Sequence, residues 1–337
     1  MYQTNPKLAR DVIIARAPVR ISFAGGGSDL PAFYLHEPGA VVTASINKYI
    51  YITVNKKFDD QIRVSYSVTE MVDHVEELHH ELVREALRTV GIDSGIEITS
   101  ISDIPSEGTG LGSSSSYVVA MLHALHAYAG RHASAARLAE EACAIELDRC
   151  RKPIGKQDQY IAAYGGLQFM QFTSDNVLVE PVPIGTSFLA EFERHLMLFY
   201  TGLARSGDPI LAEQQRNLVE DAAVRTNTAE LRDLAYALRR ALLAKRLTDV
   251  GEILDAGWAI KRRLASGITS PEIDGWYGRA RDAGAIGGKL LGAGGGGFLL
   301  LFARPEDHAA VKTALPELRW VPFRLEPHGS RIIYVQE

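Results

Sequence analysis

The chain has 337 residues, 46% of them apolar and 23% charged, with a net charge of −5, which places it among soluble globular proteins with room for two domains and a substantial core. The negative balance argues against a nucleic-acid binder that works by neutralising phosphates. The longest strongly apolar runs, such as residues 298–302, are far too short to span a bilayer, and the polar residues 1–11 carry no signal-peptide core, so a cytoplasmic protein with neither membrane nor nucleic-acid partner is expected.

β-Branched and aromatic content predicts strands at 12–14, 20–23, 40–46 and 49–55, with a short one at 63–66. Residues 77–90 read as a helix with Leu78, Leu82, Val83, Ala86 and Leu87 on one face. His74, His79 and His80 fall on or beside it without cysteines, and are expected on a solvated face rather than around a metal. A strand at 95–101 leads into Pro105-Ser106-Glu107-Gly108-Thr109-Gly110-Leu111-Gly112, followed by four serines at 113–116. Three glycines at alternate positions let the backbone curl around an anion. The serines open an apolar helix at 113–130, whose unpaired N–H groups and dipole suit phosphates. The segment therefore predicts a nucleoside triphosphate loop. Its spacing is G-x-G-x-G rather than the dinucleotide fingerprint, and no G-x-x-x-x-G-K-[S/T] sequence occurs.

A second helix is predicted at 133–149. Within and just after it lie Cys143 and Cys150, the only two cysteines. On one regular helix they would sit about 10 Å apart along the axis, too far for a disulfide, and are expected to be reduced packing residues. A Gly165-Gly166 bend precedes strands at 167–172 and 176–181. The second half reads as helices at 208–243, 248–266 and 271–283, then strands at 298–302, 320–325 and 331–335. Pro181, Pro183 and Gly185 punctuate the middle, which suggests a two-domain α+β enzyme divided into residues 1–190 and 191–337.

Two further glycine clusters stand out. Lys289-Leu290-Leu291-Gly292-Ala293-Gly294-Gly295-Gly296-Gly297-Phe298 has more glycines than a turn needs, and predicts close approach of another backbone or a ligand. Near the N-terminus, Arg20-Ile21-Ser22-Phe23-Ala24-Gly25-Gly26-Gly27-Ser28-Asp29 places an acid on a glycine turn after a strand. There Asp29 could accept hydrogen bonds from sugar hydroxyls, or cap the helical turn at 31–35.

In order and spacing, these three segments resemble the three signature motifs of the GHMP small-molecule kinases, which include galactokinase, homoserine kinase, mevalonate kinase and phosphomevalonate kinase. The resemblance extends over nearly the whole chain. It implies an N-terminal domain like domain 2 of ribosomal protein S5 and a ferredoxin-like C-terminal domain. It also implies ATP bound through Pro105, Gly108, Gly110, Leu111, Gly112, Ser113, Ser114 and Ser115, and Mg²⁺ held by Ser114 and Glu146. In Gly155-Lys156-Gln157-Asp158-Gln159-Tyr160, Asp158 matches the catalytic aspartate, and Arg20 matches the basic position of the first motif. Substrate contacts are implied at Gly26, Gly27, Ser28, Asp29, Lys156, Gly294 and Gly295. From the residues alone, Arg20 could instead form a structural ion pair, and Glu146 a surface salt bridge with Arg149 or Arg151.

The triple glycine followed by Ser28-Asp29 is similar to the sugar 1-kinases that act on D-glycero-D-manno-heptose 7-phosphate. That similarity implies transfer of the γ-phosphoryl group of ATP to the anomeric hydroxyl, giving heptose 1,7-bisphosphate for GDP-heptose synthesis. A phosphorylated acceptor needs a second anion site, for which Arg151, Lys152 and Lys156 are candidates beside a solvated basic turn. An unphosphorylated sugar such as fucose, another heptose phosphate, and a non-catalytic sugar and ATP sensor are the alternatives. A monomer or homodimer is expected.

Overall fold

The computed structural model describes residues 12–105 and 108–336; the polar stretch 1–11, and Ser106-Glu107 within the expected phosphate loop, lie outside the described residues. The first strand, β1 (Val12–Ala24), pairs antiparallel with β2 (Gly39–Lys56), and α1 (Pro31–Tyr34) lies between them. Each strand is continuous where the sequence suggested two pieces. The register slips between Pro18 and Val19 and again between Ser22 and Ala24, so the irregularities that break the sequence pattern are absorbed as bulges. Next come a hairpin of β3 (Ile62–Ser65) and β4 (Thr69–Val72), then α2 (Glu81–Val90) and β5 (Ile96–Ser102). The helix expected from residue 77 starts at Glu81, after a separate 3₁₀ turn at Val75–Glu77.

Next, α3 (Ser113–Tyr128) buries Val118, Val119, Ala120, Met121, Leu122, Ala124 and Leu125. Being apolar nearly all round, it can be satisfied only inside the fold, and it packs on β1, β2 and α2. Ser134 caps α4 (Ala135–Cys143) by accepting from the Arg137 N–H. That helix then widens into a π-helical turn over Ala144–Arg149, where the sequence suggested one regular helix. Such turns are uncommon and recur at functional positions. The following α5 (Gln157–Tyr164) is not visible in the sequence: six of its eight residues are buried, so no polar stripe marks its period. Then β6 (Leu167–Phe172) pairs with the first half of β2, while the second half of β2 pairs with β5, and β7 (Val177–Pro181) flanks β6.

The second half begins with α6 (Thr186–Arg194) and β8 (Leu196–Tyr200), neither of which the sequence reading placed. What was expected to be one helix at 208–243 is two, α7 (Asp208–Glu220) and α8 (Ala222–Leu243). Asp221 breaks them: its backbone is extended, and its carboxylate accepts the Ala223 N–H at 2.7 Å as an N-cap. After α9 (Leu247–Lys261) and α10 (Pro271–Asp282) come β9 (Ala285–Leu290) and β10 (Phe298–Ala303), then α11 (His308–Ala314) and β11 (Arg319–Trp320). Two glycines hide β9 from propensity, yet they are what its packing requires: a Cβ at Gly287 would lie 2.0 Å from the Gly251 carbonyl of α9.

The sheet of this half runs β11-β8-β10-β9, all antiparallel. That order, with helices after its first and third strands, is the ferredoxin-like arrangement. The strand expected at 320–325 stops at Trp320; Leu325 crosses to the other sheet and bridges Ile46. The C-terminal segment crosses the division expected at 190/191 at more than one place. The last strand, β12 (Arg331–Val335), pairs with β1, so the first sheet runs β12-β1-β2-β5-β3-β4, with β6 and β7 beside β2. Among the described residues no helix is long and apolar enough to cross a membrane.

Phe192 of α6 joins the two sheets. Its ring lies 5.4 Å from Phe23 of β1 and 6.2 Å from Phe302 of β10, and all three are buried. Phe192→Ala should leave a cavity at this joint and cost about 3–5 kcal/mol of stability, read as a lowered unfolding midpoint in denaturant; a change below about 0.5 kcal/mol would show the joint to be immaterial.

Candidate active site

The two sheets enclose a cavity of about 430 Å³, to which all three glycine segments contribute. At its centre Arg20, carried by β1 and almost fully buried, grips Asp158 with two hydrogen bonds of 2.7 Å, Nε to Oδ1 and Nη2 to Oδ2. Its remaining nitrogen, Nη1, donates to the Gly110 carbonyl at 2.5 Å, and its backbone N–H donates to the Leu111 carbonyl at 2.9 Å. One side chain thus ties the serine–glycine loop to the first turn of α5. Asp158 sits where helix N–H groups favour a negative charge, and its carboxylate is 22% exposed, towards the cavity. Gly112 has φ +72°, and a Cβ there would sit 3.0 Å from Asp158 Oδ2. Only glycine lets the loop lie this close to the carboxylate in that conformation.

Glu146 projects from the π-helical turn and is 0% exposed, so it forms no surface salt bridge with Arg149 or Arg151. Ser114 Oγ donates to its Oε1 at 2.9 Å, and Gln159 Nε2 to its Oε2 at 2.6 Å. Burial pushes its pKa up to about 7, against the pull of the Ser115, Gln159 and Ser114 donors and with a further rise from the Asp158 charge. Two hard oxygens, one from a hydroxyl and one from a carboxylate held without a cationic partner, fit a magnesium ion that keeps waters or phosphates in its other positions.

Asp29 is also buried. Its Oδ1 accepts the Gly27 N–H at 3.0 Å and its Oδ2 the Gln157 N–H at 3.3 Å. It does not cap α1, whose N-cap is Leu30 with no side-chain bond. Burial raises its pKa and the nearby Asp158 adds to the rise, while the backbone N–H groups oppose it. Asp29 and Asp158 line the same cavity.

Of the expected phosphate-loop residues, Gly108, Gly110, Gly112, Ser113, Ser114 and Ser115 line the cavity. Pro105 is exposed outside it, and Leu111 is buried beneath it, contributing only its backbone. Gly26, Gly27 and Gly294 also face the cavity, whereas Gly295 lies behind, against Gly267 and Ile210. Ser28 departs from its expected sugar contact. It is 0% exposed, and its hydroxyl donates towards the Gly25 and Ala40 carbonyls while accepting the Ala40 N–H. Lys156 also points elsewhere, with its ammonium over the Tyr34 ring at 4.7 Å. Arg151 is exposed outside the cavity, and Lys152, which does line it, is paired with Glu81 at 2.6 Å. His74 and His79 are exposed as expected, but His80 is partly buried, stacked on Tyr117 at 5.3 Å.

The sequence reading gave no role to Lys261 or Lys289, both buried in the cavity wall. Lys289 Nζ donates to the Phe23 carbonyl at 3.3 Å; Lys261 Nζ donates to the Leu290 carbonyl at 3.2 Å and also to that of Gly292. Burial, followed by the neighbouring Arg20 charge, lowers the Lys289 pKa to about 8, and burial, followed by the Lys289 and Arg20 charges, pushes Lys261 well below the usual lysine value; the Asp29 charge opposes both shifts. An interior lysine on a helix carries no sequence signal, but Lys289 adjoins a glycine cluster and could have been singled out there.

Two family models match the chain: the GHMP kinases N terminal domain over residues 73–166 and the GHMP kinases C terminal over residues 211–318. A D-glycero-alpha-D-manno-heptose 7-phosphate kinase from Campylobacter jejuni is 28% identical, over 87% of this chain and 90% of its own. An L-fucokinase/L-fucose-1-P guanylyltransferase from Bacteroides fragilis is 25% identical over 98% of this chain, but the match covers only 40% of that longer protein. Among solved structures, a D-glycero-D-manno-heptose 1-phosphate kinase from Bacteroides thetaiotaomicron superposes with a TM-score of 0.80 at 24% identity, over 96% of this chain and 100% of that one; at that identity the likeness speaks for the fold. Because the two models together span more than half of the chain, in the order of its two sheets, the protein belongs to the GHMP kinases and is a phosphotransferase with an alcohol group as acceptor.

Proposed function

We propose that the protein transfers the γ-phosphoryl group of ATP to the anomeric hydroxyl of D-glycero-D-manno-heptose 7-phosphate, giving heptose 1,7-bisphosphate for a GDP-heptose route in the cytoplasm. The observation that carries this reading is the Asp158 carboxylate, gripped by Arg20 and facing the cavity between the phosphate loop and Asp29. Phosphoryl transfer is governed by positioning and charge neutralisation. ATP lies with its phosphates on the N–H groups and hydroxyls at 112–115. The acceptor hydroxyl approaches Asp158, and its oxygen attacks the γ-phosphorus. The bond from that phosphorus to the bridging oxygen breaks, ADP leaves, and the hydroxyl proton passes to the Asp158 carboxylate. Arg20 keeps that carboxylate aimed and offsets charge on the moving group. Asp29 takes hydrogen bonds from other sugar hydroxyls.

Ser114 and Glu146 would hold magnesium, which when bound supplies positive charge to the β- and γ-phosphates. The acceptor assignment rests on the triple glycine with Ser28-Asp29 and on similarity to the Campylobacter jejuni heptose 7-phosphate kinase. Fucokinase relatives favour a second reading, the same transfer to an unphosphorylated sugar such as fucose.

Magnesium-dependent ADP release should be measured with D-glycero-D-manno-heptose 7-phosphate, the unphosphorylated heptose and fucose. Turnover with the 7-phosphate alone is expected; turnover with fucose alone would replace the main reading by the second. Asp158→Asn should retain ATP binding by calorimetry while turnover falls at least about a hundredfold, and near-normal turnover would remove Asp158 from its role. Glu146→Gln removes a buried charge that lacks a cationic partner. Without magnesium or nucleotide its thermal midpoint should equal or exceed that of the parent, whereas kcat with Mg·ATP should fall at least about tenfold; a large stability loss with intact kcat would contradict the assignment.

A further inference from the structure

The cavity walls carry the cations Arg20, Lys152, Arg205, Lys261 and Lys289. Arg20 is matched by Asp158, and Lys152 by Glu81. Arg205 is exposed to solvent. Lys261 and Lys289 differ from all of these, since they are 8% and 6% exposed and, among the described residues, neither has a carboxylate within 4.0 Å. An ammonium has three donors. The carbonyls they reach occupy two on Lys261 and one on Lys289, so among the described residues one N–H of Lys261 and two of Lys289 have no acceptor in a wall that faces the cavity. Burying two ammonium groups with no carboxylate in contact is unfavourable; the Arg20 charge adds to the cost at each, and the Asp29 charge relieves part of it. An oxyanion in the cavity that both lysines line would offset that cost. The candidates at 151, 152 and 156 offer no such vacancy: one is exposed outside the cavity, one is paired, and one lies over Tyr34.

We propose that Lys261 and Lys289 form an oxyanion subsite on the third glycine loop's side of the cavity, one that takes a phosphate-type group. The group comes either from the acceptor's own phosphate or from the phosphoryl group in transfer. This rests on the kinase reading, but not on which sugar is accepted. The lysines' carbonyl contacts set the subsite's position. Lys289 is held to β1 three residues beyond Arg20, and Lys261 to the loop whose Gly292 packs against Gly110. The subsite is therefore fixed relative to both the reacting carboxylate and the phosphate loop.

Lys261→Met and Lys289→Met keep most of the stem volume and remove the charge. Dissociation constants for Mg·ADP and for the non-hydrolysable Mg·AMPPNP should be measured by calorimetry, alongside steady-state kinetics with whichever acceptor the parent turns over. If the subsite takes the acceptor's phosphate, KM for heptose 7-phosphate rises at least about tenfold and both nucleotide affinities stay within twofold. If it takes the phosphoryl group in transfer, AMPPNP binding weakens and kcat falls at least about tenfold on any acceptor, with ADP binding unchanged. Folded variants with all of these values within twofold of the parent would overturn the proposal and leave the lysines as braces of the loops. A measurement on the unaltered protein guards against misfolding: inorganic phosphate added with Mg·ADP should slow reductive methylation of Lys289 at least about tenfold by peptide mass spectrometry, and no protection would overturn the proposal as well. Failure of the sugar assignment alone would leave the AMPPNP and methylation results intact, so the two ideas fail separately.

Discussion

Arg20 makes contacts on which the rest of the site depends. Its guanidinium holds both oxygens of Asp158 and the carbonyl of Gly110, residues separated from it by 138 and 90 positions. A planar fork with several donors can do this; a lysine ammonium cannot hold a carboxylate bidentately and a third acceptor in the same geometry. The strand that carries Arg20, the loop that curls over it and the helix that begins at Gln157 are therefore fixed as one unit. The long β1–β2 pair gives that unit a rigid floor, and the Phe23–Phe192–Phe302 contacts bring the second sheet's glycine loop against it. The site is a joint between two sheets, which is why the packing between them matters to the chemistry.

Charge placement around this joint follows one pattern. Acids and bases that need a defined orientation are paired or held by backbone N–H groups, as with Asp158 and Asp29. Groups suited to ligands are buried and left short of countercharge: Glu146 among donors that are all neutral, Lys261 and Lys289 among carbonyls. Each such group costs stability in isolation. These are the groups that the proposed magnesium and oxyanion sites use, Glu146 for the cation and Lys261 with Lys289 for the oxyanion.

Much of this was legible in the sequence, for identifiable reasons. Glycines at 108, 110 and 112 were expected to let the backbone curl, and all three have positive φ; the serines were expected to open an apolar helix, and α3 starts at Ser113. Asp29 and Asp158 stood in short, distinctive segments. What was not legible falls into three kinds. Helix α5 and strand β9 are buried or glycine-rich, so periodicity and propensity both fail on them. The break at Asp221 is a capping event within an otherwise continuous helical pattern. Direction of side chains was the third: Ser28 and Lys156 are the right residue types in the right segments, yet one hydroxyl is taken up by backbone and one ammonium by an aromatic face. Lys261 was invisible for the converse reason, since only the fold brings that helix end to the glycine loop.

In the proposed reaction a hydroxyl beside Asp158 becomes a phosphate ester, and this hydroxyl is the anomeric one of a sugar already phosphorylated elsewhere. Phosphorus NMR of the unaltered protein with Mg·ATP and D-glycero-D-manno-heptose 7-phosphate tests both parts at once. A second phosphomonoester resonance coupled to the anomeric proton is expected, growing in step with ADP, while the 7-phosphate resonance persists. ATP left unconsumed, or a new ester coupled to a proton at any other carbon, would contradict it.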